Sequence, residues 1–178
     1  MYLGADKPLA REYIEIHNLT EFTNHVKSLS SISASAQSVH GVDGMGDIGV
    51  IPKSYKHGEK NAVDYIVDTV NQNPNEITLV TLGPLTNIAL ALQKDSSIAE
   101  KIKHCYVMGG TSDGSGNVSA AAEFNIWVDP EAAKIVFDSE LQITMVGWDN
   151  SYKYAMLKER EISQIRELNS KLGNFSVD

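Results

Sequence analysis

Glu123 and Asn125, in the run Ala122-Glu123-Phe124-Asn125-Ile126, are the residues best suited to grip a polyhydroxylated small molecule. In an extended segment, residues two apart share a face. A carboxylate accepts hydrogen bonds and an amide both donates and accepts, which is what a pair of vicinal hydroxyls requires. An exposed acid and amide ahead of a helix is the plainer alternative. A second group is the carbonyl of Leu82, at the end of Thr81-Leu82-Gly83-Pro84-Leu85-Thr86-Asn87. Freed at a strand end, it could face a hard cation, since calcium takes neutral carbonyl oxygens as well as carboxylates. The same motif also reads as a tight turn in which Thr86 and Asn87 support the first turn of a helix. Met108-Gly109-Gly110 is a strand end at which glycine permits the backbone conformation.

The loop Asp113-Gly114-Ser115-Gly116-Asn117 fails two tests. It is not a dinucleotide fingerprint, because no third glycine follows to open a helix. Nor is it a helix–loop–helix calcium loop, because Val118 stands where the turn glycine belongs and Glu123 falls one position early. A solvated loop or a ligand role for Asn117 remain. Asp149 ends a strand and has a structural role as its first reading, and Cys105, in mid-strand, reads as a small buried hydrophobe.

The elements that must position these groups follow from periodicity. Ala62, Val63, Ile66, Val67 and Val70 carry helical spacing across 60–71, and Asn73-Pro74 stops that helix. Ile77 to Leu82 is a near-continuous β-prone run, as expected of a strand buried on both faces. A helix over Leu85 to Gln93 follows, with Pro84 suited to a first helical position. His104 to Met108 is the next strand. Asp129-Pro130-Glu131 opens another helix with Asp129 as N-cap, and Leu141 to Val146 is a third strand. Lys158 to Leu172 reads as an amphipathic helix with Ile162, Ile165, Leu168 and Leu172 on one side. Leu19 to Ser30 reads as a helix, Ser31 to Ser38 as irregular, and the four glycines between Gly41 and Gly49 as a loop able to cover a site. Strands alternating with helices imply parallel pairing with right-handed crossovers. In such sheets ligands sit beyond the carboxyl ends of the strands, where the motifs above fall.

Composition narrows the function further. A chain of 178 residues with 42% hydrophobic content can bury one core, so one domain is expected over 1–178. The net charge of −8 argues against a nucleic-acid face. No apolar run approaches the length of a membrane span, and the start carries no secretory pattern. One cysteine cannot form an internal disulfide, which fits a reducing compartment and a cytoplasmic location.

Taken in order, Gly83-Pro84-Leu85-Thr86-Asn87, Met108-Gly109-Gly110 and Ala122-Glu123-Phe124-Asn125 followed by Asp129-Pro130-Glu131-Ala132-Ala133 resemble the inosine-uridine preferring nucleoside hydrolases. The resemblance implies an α/β fold, a parallel Rossmann-like sheet flanked by helices, and hydrolysis of a ribonucleoside to ribose and free base. It implies that Leu82 gives its carbonyl to an active-site calcium and that Met108 packs against the nucleoside. It further implies that Asn117, Glu123 and Asn125 bind ribose hydroxyls, and that His40, in His40-Gly41-x-Asp43-Gly44, lies on the nucleobase side.

Two features of the family pattern have no counterpart here: an aspartate-rich opening strand and a later His-Asp pair. After His104 the sequence holds no histidine. The expectation is therefore a partial, truncated nucleoside hydrolase domain with no catalytic residue of its own and doubtful calcium binding, inactive in isolation. The alternative is a non-catalytic fragment or subunit that keeps ribose binding. Loss of a strand would leave an apolar sheet edge, so a homo-oligomer or self-association is also expected.

Overall fold

The computed structural model describes residues 2–5, 7–10, 41, 46–48 and 58–177. The predicted helix over 19–30, the irregular stretch 31–38 and His40 lie outside these residues. Of the glycine-rich loop, Gly41, Gly46 and Asp47 have positive φ, as a tight turn requires.

Three short strands form one parallel sheet in the order β1 (Thr78–Thr81), β2 (His104–Met108) and β3 (Ile143–Val146). Register pairs Val80 with Tyr106 and Tyr106 with Thr144. Helix α1 (Ala62–Gln72) precedes β1. Helices α2 (Thr86–Lys94) and α3 (Ile98–Lys101) connect β1 to β2, and α4 (Phe124–Val128) and α5 (Pro130–Phe137) connect β2 to β3. After β3 come α6 (Trp148–Tyr154), α7 (Glu159–Glu167) and α8 (Lys171–Val177).

The local causes are visible in the sequence. Asn61 caps α1 by accepting from the Asp64 N–H at 2.9 Å, and Asn73 closes it through a side-chain bond to the Thr69 carbonyl. Asp129 caps α5, with Pro130 in its first turn and the Ala132 N–H bonded to the Asp129 carboxylate at 3.0 Å. Helix α2 packs against both α1 and α5. Val70, Leu85, Ala89, Ile98, Cys105, Val107 and Val136 are fully buried between these helices and the sheet. The interior is thus one apolar layer, and its burial is the main stabilising term.

Three expectations need correction. The β1 strand is not buried on both faces among the described residues: the apolar core cluster includes Cys105 and Val107, with Leu79 packed against it. Alternation turns Val80 and Tyr106 the other way, and they are 63% and 43% exposed. The helix expected over 158–172 is two helices. Its periodicity breaks where Asn169 takes a φ of +43°, leaving Leu168 and Leu172 on the surface. Finally, Thr86 and Asn87 do not cap α2. Leu85 is the N-cap, without a side-chain bond, and both polar residues reach other segments instead.

Candidate functional site

Asn125 stands where two strand ends meet. Its Nδ2 donates to the Met108 carbonyl at 3.1 Å, lies 3.2 Å from the Met108 sulfur, and reaches the Leu82 carbonyl at 3.5 Å. One amide therefore joins the carboxyl ends of β1 and β2, although 43 and 17 residues separate the partners. Asn125 is itself only 9% exposed.

Glu123 lies beside it and is 3% exposed. The pair does not project from an extended segment, as the spacing suggests, because Glu123 is the N-cap of α4 and Asn125 belongs to its first turn. The side chains converge for a different reason, since each turns back onto the Met108-Gly109-Gly110 strand end. Glu123 Oε2 accepts from the N–H groups of Gly110 at 2.9 Å, Asn125 at 3.0 Å and Ile126 at 3.4 Å. A carboxylate there satisfies orphan amides of the helix and complements its positive end. Glu123 Oε1 and Asn125 Oδ1 take none of these bonds. No buried side-chain nitrogen or oxygen among the described residues lacks a partner. Asn117 is exposed and accepts from the Phe124 N–H at 2.9 Å, bracing the start of α4.

The residues around this centre hold its loops. Gly110 takes a φ of +68°, which strains any residue with a side chain, and a Cβ there would stand a tight 3.2 Å from the Met145 sulfur. Asp149, 6% exposed, accepts from the Ser112 N–H at 2.9 Å and the Ser112 hydroxyl at 2.7 Å. The Ser112 amide, then its hydroxyl, holds the Asp149 carboxyl below the ordinary carboxylate range. Asp113 accepts from Lys153 at 2.7 Å and also from Ser115 and Thr111. Lys153, followed by the Ser115 bonds, pushes its carboxyl well below the usual range. The loop 113–117 is thus closed by its own ion pair and turn bonds, as a solvated surface loop would be. Sequence spacing missed Asp129 as more than a cap. Fully buried, it also accepts from Thr86 Oγ1 at 2.7 Å and from the Leu9 N–H at 2.9 Å.

The described residues do not by themselves fit a calcium ion. Leu82 presents one neutral carbonyl, and no group of three or more His, Cys, Asp or Glu among the described residues could hold a metal. Calcium takes about 6–8 oxygens.

A parallel α/β sheet with a buried carboxylate and amide gathered at its carboxyl edge belongs to the class that binds small molecules beyond the strand ends. Comparison with known proteins makes the class specific. The family model of the inosine-uridine preferring nucleoside hydrolases matches residues 1–178, and the chain belongs to that family. It is 48% identical over 105 residues to uridine nucleosidase 1 of Arabidopsis thaliana, covering 59% of this chain and 31% of the relative. It is 41% identical over 165 residues to a pyrimidine-specific ribonucleoside hydrolase, RihA, of a Shewanella species, covering 93% and 45% respectively. Among solved structures, a purine-preferring ribonucleoside hydrolase from Gardnerella vaginalis superposes with a TM-score of 0.78 at 34% identity, covering 98% of this chain and 50% of that one. The chain spans half or less of the length of these relatives.

Proposed function

We propose that this chain supplies the ribose-binding wall of a ribonucleoside hydrolase, as a single partial domain of that type over 1–178. The observation that carries this reading is the pair Glu123 and Asn125, each nearly buried and backbone-anchored at the strand ends, each with one oxygen outside those anchoring bonds. The similar proteins differ in the base their names specify (uridine, pyrimidine, purine) and share the ribose. A wall of hydroxyl-binding groups is the part of a site that such variation would leave in place.

In this reading Glu123 Oε1 accepts from one ribose hydroxyl and Asn125 Oδ1 from another, with Asn117 at the rim and Met108 against the nucleoside. His40, outside the described residues, is assigned to the nucleobase side by the family resemblance alone. N-glycosidic hydrolysis builds positive charge on the sugar ring, and a carboxylate bonded to a ring hydroxyl favours that charge. The family uses a metal ion. Calcium, met in part by the Leu82 carbonyl, is our assignment and would orient water in the complete site. Among the described residues no helix is long and apolar enough to cross a membrane. A cytoplasmic location is proposed from cysteine usage.

Titration of uridine and of inosine into the full chain, followed by amide chemical shifts, tests the ribose wall. Asn125→Ala should weaken binding of both nucleosides by about tenfold, the scale of one hydrogen bond within a polar network. Asp138→Ala, at the exposed end of α5, should leave it unchanged. An Asn125→Ala protein that is folded and binds both nucleosides as the parent does would overturn the assignment.

A further inference from the structure

We propose that Asp149 is a positioning residue of the ribonucleoside site: from α6 it holds the turn at 109–112 while Glu123 holds the same turn from α4. This rests on the ribose-wall reading above.

The turn carries the site. Met108, whose carbonyl and sulfur meet the Asn125 amide, is followed directly by Gly109 and Gly110. Glu123 takes the Gly110 N–H. Two residues further on, Asp149 takes both the N–H and the hydroxyl of Ser112. Between these two anchors the Gly110 carbonyl accepts from the Trp148 N–H at 2.8 Å, and just before them the Gly109 N–H donates to the Val146 carbonyl at 3.2 Å. The start of α6 is therefore seated on the turn. Gly147 permits the close approach, because a Cβ there would lie 2.5 Å from Asp149 Oδ1 and 3.2 Å from Thr111 Cα. Both carboxylates are nearly buried. Releasing Asp149 would free the Ser112 end of the turn, so that Gly110, whose N–H seats the Glu123 carboxylate, is held by fewer bonds.

The two substitutions that separate positioning from bulk stability are Asp149→Ala and Asp149→Asn. Alanine removes both bonds to Ser112. Asparagine keeps an oxygen for the Ser112 N–H and offers an N–H to the Ser112 hydroxyl, which can accept. In the full chain, at a temperature where circular dichroism shows each protein folded, Asp149→Ala should weaken uridine binding about tenfold. Asp149→Asn should stay within about threefold of the parent. Ser112→Ala, which removes only the hydroxyl bond, should fall between and serves if Asp149→Ala does not fold. A folded Asp149→Ala or Ser112→Ala protein with parental affinity would overturn the proposal, as would loss with both Asp149 variants alike. If the parent itself binds no uridine, the ribose-wall reading fails. The latch is then judged from amide exchange: Gly110 and Asn125 N–H exchange should quicken about tenfold in Asp149→Ala, and unchanged exchange refutes it.

Discussion

Glu123 and Asp129 show how one carboxylate can serve as cap and as clasp. Each lies at the N-terminus of a helix, where a negative group is favourable, and each takes three hydrogen bonds. Asp129 gathers Leu9, Thr86 and Ala132 from three separate stretches of chain. Asp129→Ala should therefore cost more than the roughly 1 kcal/mol typical of a lost N-cap, because Thr86 and the Leu9 N–H are left without a partner in the interior. About 3 kcal/mol in urea unfolding is the expected scale. A loss confined to about 1 kcal/mol would mean that water replaces the clasp. The cap itself is legible in Asp129-Pro130-Glu131, since capping is a local pattern. The bonds to Leu9 and Thr86 span 120 and 43 residues, and no spacing rule encodes a contact made only when the sheet is assembled. Glu123 and Asn125 divide the same way. Their chemistry is legible from residue type, whereas their convergence comes from a helix start where the two-residue spacing suggests a strand.

At the scale of elements, β2 is legible at both ends because alternation and a Gly-Gly stop agree, and its bounds match the structure. The C-terminal helices are less so, because the apolar spacing runs unbroken through Leu168 and Leu172 while the backbone turns at Asn169. The turn and loop after β2 are held by the depressed carboxyls of Asp149 and Asp113, a feature the sequence does not announce. Their sign is definite. A carboxyl whose folded pKa lies below its unfolded value adds stability that is fully present above the unfolded value of about 4. That stability is lost as pH falls through the folded values. The amides of Ser112 and Ser115 should then stay protected from pH 7 down to about 4 and open below it. Lys153→Ala should move the opening at Ser115 to higher pH, because Lys153 is the main cause of the Asp113 shift. Protection at both amides that falls between pH 7 and 5 would contradict this assignment.

For the molecule as a whole, the asymmetry of the sheet has the largest consequence. Helices cover the face of Cys105 and Val107, while Val80, Leu82, Tyr106 and Val146 on the other side or at the strand ends are 63%, 76%, 43% and 38% exposed among the described residues. Apolar surface of this kind favours association, and an edge strand that pairs on one side only among the described residues adds to it. Opposing this is the net charge of −8, which makes two copies repel at low ionic strength. Salt decides between the two effects. At about 0.15 M the Debye length is about 8 Å, so repulsion across an interface is largely screened, while sulfate strengthens apolar burial further. The chain should therefore be smallest by light scattering at low salt and grow with added ammonium sulfate. Val80→Lys, which places a charge on the open face of the β1 edge strand, should restore the smaller species with little change in melting, since exposed substitutions shift stability by about 0.5 kcal/mol or less. A parent chain that remains a 19.5 kDa monomer across concentration and salt would show that this face needs no partner.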